Sequence, residues 1–112
     1  MEVPDDIRLY VAANQKAPFS EWMQKLEVKM QAIIDVRIAR IRGGNFGDVK
    51  HLCGSLFEVR IDFGPGYRIY YGMYKKTVVI LLCGGEKRSQ ERDIAKAKEY
   101  WEDFLSNVGK RK

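Results

Sequence analysis

Five cations and three tyrosines give this chain its clearest capacity for chemistry. The set consists of Lys50, Arg60, Arg68, Lys87, Arg88, Tyr67, Tyr70 and Tyr74. Guanidinium and ammonium groups bind phosphate oxygens and stabilise charge that develops on a phosphate during cleavage, and aromatic rings stack on bases. A nucleic-acid phosphodiester is therefore the ligand that these residue types favour.

Other kinds of catalytic site lack their usual signatures. The single histidine, His51, has no serine on a Gly-x-Ser-x-Gly turn to activate, and Cys53 and Cys83 do not have metal-ligand spacing. The segment Gly84–Ser89 lacks the G-x-x-x-x-G-K-[ST] spacing of a phosphate loop. We therefore expect no metal and no cofactor. His51 has two interpretations, an acid or base close to the cations and an ordinary surface histidine.

Length and charge restrict the class of protein. The 112 residues are 46% hydrophobic and 31% charged, which fits one globular domain over residues 1–112. The sequence contains neither a membrane-spanning run nor a recognisable export signal, so we expect a cytoplasmic protein. Residues 1–36 carry four Lys/Arg and six Asp/Glu, a net of −2, whereas residues 37–112 carry sixteen and nine, a net of +7. That asymmetry is typical of a phosphate-binding surface, and a solvated lysine-rich exterior is the alternative.

A three-strand meander is predicted to position the central cations. Residues 57–63 and 67–74 alternate between apolar and polar types, and a three-residue loop at 64–66 would place Asp62 opposite Arg68. One face is then apolar and the other is a polar face exposed to solvent. The polar face comprises Glu58, Arg60, Asp62, Arg68, Tyr70 and Tyr74. An ordinary cross-strand ion pair between Arg68 and Asp62 is the alternative to a functional Arg68.

The third strand of the meander is apolar at every position from Val78 to Cys83. We expect it to be buried on both faces and central in the sheet, with Gly84–Arg88 leaving it as a loop. A further strand is predicted at Ile7–Ala12, and Asp48 is predicted to belong to a loop.

Helices are predicted both before and after the meander along the chain. Apolar residues recur at helical spacing from Phe19 to Ile41, with a break expected near Glu27–Val28 and a stop at Gly43–Asn45. Ser89 is predicted to cap a last helix, and residues 109–112 are predicted to form a frayed basic tail. Trp22 and Trp101 are the expected core anchors of these helices.

Several motifs together resemble one family of proteins. They are Asn45–Lys50, Leu56–Ile61, the Gly64–Tyr71 run GPGYRIYY, Leu81–Lys87, Gln90 and Asp93–Ala97. Over roughly residues 19–105 the chain resembles the addiction module killer branch of the RelE/ParE toxin superfamily, close to the HigB-type and phage-derived Gp49-like proteins.

The resemblance implies a fold, an activity and partners. The fold would be α+β and RelE-like, of microbial-ribonuclease type, with an antiparallel sheet of four to five strands packed by two N-terminal helices and a C-terminal helix. The activity would be metal-independent cleavage of messenger RNA at the ribosome, as by an mRNA interferase that inhibits translation in bacteria. The partners would be messenger RNA, the ribosome and a cognate antitoxin with a helix-turn-helix, and the free toxin would be a monomer or a weak dimer that binds no membrane.

Residue roles also follow from the resemblance. Arg68 matches an arginine that stabilises the transition-state phosphate, Arg60 matches a basic strand position, and Lys87 occupies the basic position after the last strand. These three are the expected catalytic residues. The expected substrate-binding residues are Lys50, His51, Tyr70 and Arg88. Glu58 stands where RelE has a lysine, which leaves the general base unassigned.

Two other functions remain open from the sequence. ParE-type members of the superfamily keep the fold and inhibit DNA gyrase without acting as enzymes. A member that has lost activity would bind only its antitoxin. The intact set of Arg60, Arg68 and Lys87 favours the nuclease, whereas the last helix has no clear equivalent of the RelE tyrosine.

Overall fold

The computed structural model describes residues 3–110, with the side chains of residues 109 and 110 left out. The elements are β1 (Asp6–Leu9), α1 (Pro18–Gln24), α2 (Val28–Arg42), β2 (Asp48–Cys53), β3 (Leu56–Ile61), β4 (Tyr67–Tyr74), β5 (Val78–Glu86), a 3₁₀ turn (Lys87–Ser89) and α3 (Gln90–Lys110). Part of the tail predicted at 109–112 therefore belongs to α3, and residues 111–112 lie outside the described residues. No helix among the described residues is both long enough and apolar enough to cross a membrane.

The fold is α+β with a five-stranded mixed sheet in the order β1-β5-β4-β3-β2. The prediction of a purely antiparallel sheet was wrong, because β1 pairs parallel to β5. These two strands are joined through the whole intervening chain rather than by a hairpin, so nothing forces them to run in opposite directions. The first strand is also shorter than predicted and ends at Leu9. The remaining neighbours, β5-β4-β3-β2, are antiparallel.

The register of β3 and β4 differs from the prediction by two residues. Arg60 lies opposite Arg68, and Asp62 belongs to a five-residue connection rather than to a strand. Within this connection the Gly66 amide donates to the Phe63 carbonyl at 3.0 Å, and the Phe63 side chain is 41% exposed. Because a shift of two residues preserves the alternation of faces, the predicted division between the two faces of each strand still holds.

Strand β5 extends three residues beyond its predicted end. Gly84 and Gly85 lie in the strand, where the sequence predicted a loop. A side chain at Gly84 would collide with the ring of Trp22, and one at Gly85 would collide with the Asp93 carboxylate. These glycines therefore permit close approach of helices to the sheet rather than a turn. The strand is interior, between β1 and β4, whereas β4 is the central strand.

The chain between α1 and β3 contains one missed strand and two confirmed predictions, the break near Glu27–Val28 and the helix stop at Gly43–Asn45. The expected helix break is present, since α1 ends at Gln24 and α2 begins at Val28. The side-chain amide of Gln31 donates to the carbonyls of Met23 and Leu26 at 2.9 and 3.1 Å. It thereby supplies hydrogen bonds to backbone carbonyls that the end of α1 leaves free. Residues 48–53 form the edge strand β2, although a loop was predicted at Asp48.

Helices cover both faces of the sheet. Phe19, Met30, Ile34 and Ile41 of α1 and α2 pack on one face, and Ala97 and Trp101 of α3 pack on the other. Trp101 is buried as expected, and Trp22 is half-buried against the first core. The face predicted to be polar and exposed is therefore largely buried under α3. Among the described residues of this face, Lys50 of β2, part of Arg60 and the loop residue Asp62 stay exposed to solvent.

Candidate functional site

Arg60, Arg68 and Lys87 meet in one cleft at the end of the sheet. The cleft has a volume of about 210 Å³ and is lined by Asp48, Arg60, Ile61, Asp62, Gly66, Tyr67, Arg68 and Lys87. Arg60 and Arg68 lie directly opposite each other on β3 and β4, and the Lys87 amide donates to the Gly66 carbonyl at 2.9 Å. The structure thus brings together the three residues that were predicted to be catalytic, with the carboxylates of Asp48 and Asp62 beside them.

A buried carboxylate lies behind the two arginines. Glu58 is fully buried, and its Oε2 accepts a hydrogen bond from Arg60 Nε at 3.2 Å and lies 3.8 Å from Arg68 Nη1. Its Oε1 accepts a hydrogen bond from Gln90 Nε2 at 2.8 Å. The ion pair between Arg68 and Asp62, the alternative to a functional Arg68, is therefore replaced by one with Glu58. Two like charges on directly paired positions repel each other, and the carboxylate offsets this repulsion.

Arg68 is a buried cation with an unused donor. The residue is 8% exposed, and its Nε–H has no hydrogen-bond partner among the described residues. Leaving a buried donor unpaired costs about 1–3 kcal/mol, and more for a charged group. Arg68 also lines the cleft, and an oxyanion is the acceptor that a guanidinium binds most strongly.

Tyr70 is buried rather than available for stacking. Its side chain is fully buried directly opposite Glu58, and within the described part of the chain the carboxylate of Glu58 is the group that its hydroxyl approaches without a well-formed hydrogen bond. Burial, and then the negative charges of Glu58 and Asp93, raise the pKa of Tyr70 well above its ordinary value. The expectation that this ring stacks on a base is therefore wrong. Tyr67 lines the cleft, whereas Tyr74 packs edge-on against Phe104 of α3.

The other predicted substrate-binding residues lie outside the cleft. Lys50 is exposed on β2 opposite Glu58, on the same face of the sheet as Arg60. His51 faces the opposite side with Phe57, and its Nε2 lies 2.7 Å from the Gly54 carbonyl oxygen. Arg88 is exposed and pairs with Glu86 at 3.4 Å. These positions are compatible with contacts to a long ligand at Lys50 and Arg88, and they separate His51 from the arginines.

Comparison with known proteins identifies the family. Residues 21–102 match the family described as "Phage derived protein Gp49-like (DUF891)". The chain belongs to this Gp49-like family. It is also 47% identical over 81 residues to an uncharacterized protein of Haemophilus influenzae, an alignment that covers 71% of this chain and 82% of that protein.

The matched region of this Gp49-like protein contains the whole cleft. It begins within α1 and ends within α3, so it includes β2 to β5 and the first part of α3. Strand β1 lies before the match. The family signature therefore coincides with the elements that hold Glu58, both arginines, Lys87 and Gln90.

A second and larger groove of the Gp49-like protein lies on another side of the same strand end. It has a volume of about 410 Å³ between α1, the end of β5 and the start of α3, and Trp22, Cys83, Ser89 and Asp93 are among the residues that line it. The Ser89 hydroxyl donates to Asp93 Oδ2 at 2.5 Å. Burial, with a contribution from the charge of Asp93, raises the pKa of the Cys83 thiol to about 12, so the thiol is protonated and a poor nucleophile.

Sequence reasoning missed the supporting residues of the cleft. Glu58 and Arg60 alternate on β3, so their shared face could be read from the sequence, but the pairing with Gln90 needs the position of α3. Asp48 was missed because β2 was taken as a loop. Within the part of the chain that the structure describes, no group of three or more His, Cys, Asp or Glu side chains is placed to hold a metal ion.

Proposed function

We propose that this Gp49-like protein is the toxin of a type II toxin–antitoxin pair, with a RelE-like fold and metal-independent endoribonuclease activity on messenger RNA. The observation that carries the proposal is the cleft that joins Arg60, Arg68 and Lys87. Within it, Arg68 is nearly buried and keeps an unpaired Nε–H among the described residues. Membership of the Gp49-like family and the resemblance of the motifs to RelE-type toxins support the same reading.

The proposed reaction is attack of a ribose 2′-hydroxyl on the adjacent phosphate. The bond from O2′ to phosphorus forms, the bond from phosphorus to O5′ breaks, and the products carry a 2′,3′-cyclic phosphate and a 5′-hydroxyl. Arg60 and Arg68 stabilise the negative charge that grows on the phosphate, and Lys87 holds the RNA backbone. Asp48 and Asp62 line the cleft, and a carboxylate there can accept the proton of the 2′-hydroxyl, while water donates a proton to the departing O5′.

The proposed partners follow from the same activity. Messenger RNA enters the cleft at the ribosome in the bacterial cytoplasm, and the exposed cations Lys50 and Arg88 contact its backbone on either side. A cognate antitoxin with a helix-turn-helix holds the toxin inactive. The free toxin is a monomer or a weak dimer.

Induced expression in bacteria with primer-extension mapping of messenger RNA tests the proposal. We expect in-frame cuts within translated messages for the native chain. In a purified assay with ribosomes, Arg68→Ala should lower the cleavage rate about 10²- to 10³-fold, the loss typical when one donor to a developing oxyanion is removed. Arg68→Lys keeps the charge but not the planar fork of donors, so it should restore RNA binding more than cleavage.

The matched control is Arg40→Ala, which removes an exposed arginine of α2 and should leave cleavage unchanged. Circular dichroism of each variant shows whether its fold is retained. Growth arrest with intact messages and a DNA-damage response would contradict the proposal in favour of gyrase inhibition. Expression without any effect on growth or on messages would contradict both activities.

A further inference from the structure

The carboxylate of Glu58 is buried opposite Tyr70, and within the described residues Arg60, Arg68 and Gln90 bind it. It lies in the middle of β3, and its partners come from three places: Arg60 on the same strand, Arg68 on β4 and Gln90 at the first position of α3. A buried carboxylate is tolerated only when charged or hydrogen-bonding groups surround it. Arg60 and Arg68 line the cleft, and Gln90 follows the 3₁₀ turn whose first residue lines it as well.

The two oxygens of this carboxylate are used differently. The Gln90 amide takes Oε1 at 2.8 Å, so Arg60 and Arg68 share Oε2, at 3.2 and 3.8 Å. Without the amide, both oxygens of Glu58 would be free for a bidentate pair with one arginine, the geometry that arginine and carboxylate prefer. One arginine would then be neutralised and turned away, and the other would lose its counter-charge.

We propose that Glu58 and Gln90 are positioning residues that hold Arg60 and Arg68 side by side over one phosphate. Neither residue touches the RNA. Glu58 offsets the repulsion between the guanidinium groups, and Gln90 prevents it from neutralising either one completely. Because Arg60 is bound to Glu58 through Nε alone and both arginines line the cleft, donors of both side chains remain for the ligand. The effect on cleavage rests on the proposed function, whereas the geometry of the arginines can be tested without it.

Nuclear magnetic resonance of the arginine Nε–H groups is the first test. In the native chain, we expect a slowly exchanging Nε–H signal from Arg60, assigned by its absence in Arg60→Lys. The signal should disappear in Glu58→Gln, because an amide oxygen is a weaker acceptor for a guanidinium than a carboxylate. It should persist in Glu102→Gln, which removes an exposed carboxyl group of α3. An Arg60 signal that is absent in the native chain, or unchanged in Glu58→Gln, overturns the inference.

Single-turnover kinetics is the second test, with RNA binding measured on the same sequence carrying 2′-O-methyl riboses, which cannot be cleaved. We expect Glu58→Gln to lower the cleavage rate about 10²-fold, as misplacement of reacting groups does, while binding stays equal or becomes tighter because a negative charge is lost. Gln90→Met keeps every charge and should also lower the rate without weakening binding. It serves as the second variant if circular dichroism shows that Glu58→Gln does not fold.

Exchanging the two side chains distinguishes two roles of the pair Glu58 and Gln90. One role is to position the arginines, and the other is only to hold α3 against β3. Glu58→Gln/Gln90→Glu keeps a hydrogen bond between β3 and α3 but moves the carboxylate away from its place between the arginines. We expect the swap to recover stability and not the cleavage rate. Recovery of the rate, or an equal loss of rate and binding in the single variants, overturns the inference. If the native chain shows the Arg60 signal and its loss in Glu58→Gln but cleaves no RNA, the arrangement of the arginines stands and the proposed function fails.

Discussion

Burial decides what each charged side chain near the cleft can do. Arg68 is nearly buried, Glu58 is fully buried, and Arg60 keeps 40% of its side chain exposed. When an exposed arginine binds phosphate, it gives up its hydration, so the net gain in free energy is small. A buried arginine gave up most of its hydration when the protein folded, so binding costs it less. A phosphate that enters the cleft should therefore gain more binding free energy from Arg68 than from Arg60. The more exposed side chain of Arg60 can move to stay in contact with the phosphate while negative charge develops on it.

Gly85 lies where β5 and the first turn of α3 approach each other too closely for a side chain. A Cβ at this position would overlap Asp93 Oδ2 and lie 3.2 Å from the Ser89 hydroxyl. We expect Gly85→Ala to destabilise the fold by about 1–3 kcal/mol, because the first turn of α3 must move away from β5. The same movement carries Gln90 away from Glu58, so cleavage should fall as well. Urea unfolding followed by tryptophan fluorescence measures the change.

Gly43→Ala is the matched control for this substitution. Gly43 follows α2 with φ −86°, and its Cβ would find its nearest neighbour at 3.5 Å, an ordinary contact. The free energy of unfolding should change by less than about 0.5 kcal/mol. Equal effects of the two substitutions would show that the close approach of Asp93 does not constrain Gly85.

At the scale of elements, the sequence predicted most of the strands and helices. It did not predict which helices pack on which face of the sheet. Alternation in β3 and β4 is a local property, so the division of their faces was correct. The exposure of those faces depends on α3, which packs on them from a distant part of the sequence. This is why Glu58 and Tyr70 were expected on the surface and are buried.

Glycines caused two further errors of the sequence prediction. Gly84 and Gly85 have the local signature of a loop, and only the positions of Trp22 and Asp93 reveal that they accommodate neighbours. In the connection from β3 to β4, three residues with two glycines suggested a short turn, and the chain uses five. The site was nevertheless predictable in part. Arg60, Arg68 and Lys87 could be named from their motifs, whereas the supporting Glu58 and Gln90 required the packing of α3.

The connection between β3 and β4 gives an element-scale prediction. Gly66 has φ +83°, its carbonyl accepts the Lys87 amide at 2.9 Å, and its Cβ would lie 3.4 Å from Lys87 Cβ. We expect Gly66→Ala to cost about 1–2 kcal/mol of stability from left-handed strain and to lower cleavage by displacing Lys87. Urea unfolding and single-turnover kinetics measure the two effects.

Gly64→Ala controls for the strain alone. Gly64 has φ +55°, and the nearest atom to its Cβ would be Tyr67 Cε2 at 3.8 Å. This substitution should cost a similar free energy of unfolding and leave cleavage intact. A loss of cleavage in both variants, in proportion to their instability, would show that Lys87 does not depend on the loop for its position.

At the scale of the whole molecule, the three-layer arrangement determines where a ligand can bind. Helices α1 and α2 cover one face of the sheet, and α3 packs on the other face against β5, β4 and β3, so Lys50 on the edge strand β2 and part of Arg60 stay exposed there. Loops at strand ends are where a covered sheet can present functional groups. The cleft forms at such an end, where residues 62–66 meet the turn Lys87–Ser89.

Several buried ionisable side chains in the two hydrophobic cores have raised pKa values, and these predict how the stability of the whole molecule depends on pH. Burial raises the pKa of the Cys83 thiol from 9.0 to about 12. It also raises the pKa values of Tyr10, Tyr70 and Tyr71 above their ordinary value of 10.0. For Tyr10, a hydrogen bond to Asp103 at 2.6 Å adds to this effect. The folded state therefore holds these protons at a pH where the unfolded chain releases them.

Stability should consequently be lost in alkali. Groups whose pKa is raised on folding contribute stability fully below their unfolded pKa, and this contribution falls as the pH rises toward the folded value. We expect the free energy of unfolding to be constant up to about pH 8.5 and to fall steadily above it, as unfolded cysteine and then tyrosine ionise. Urea unfolding at a series of pH values measures the slope. Cys83→Ala should make the slope shallower, whereas Cys53→Ala, which removes an exposed thiol, should not. An identical slope in the native chain and in Cys83→Ala would mean that the buried thiol does not hold its proton as the packing of the core requires.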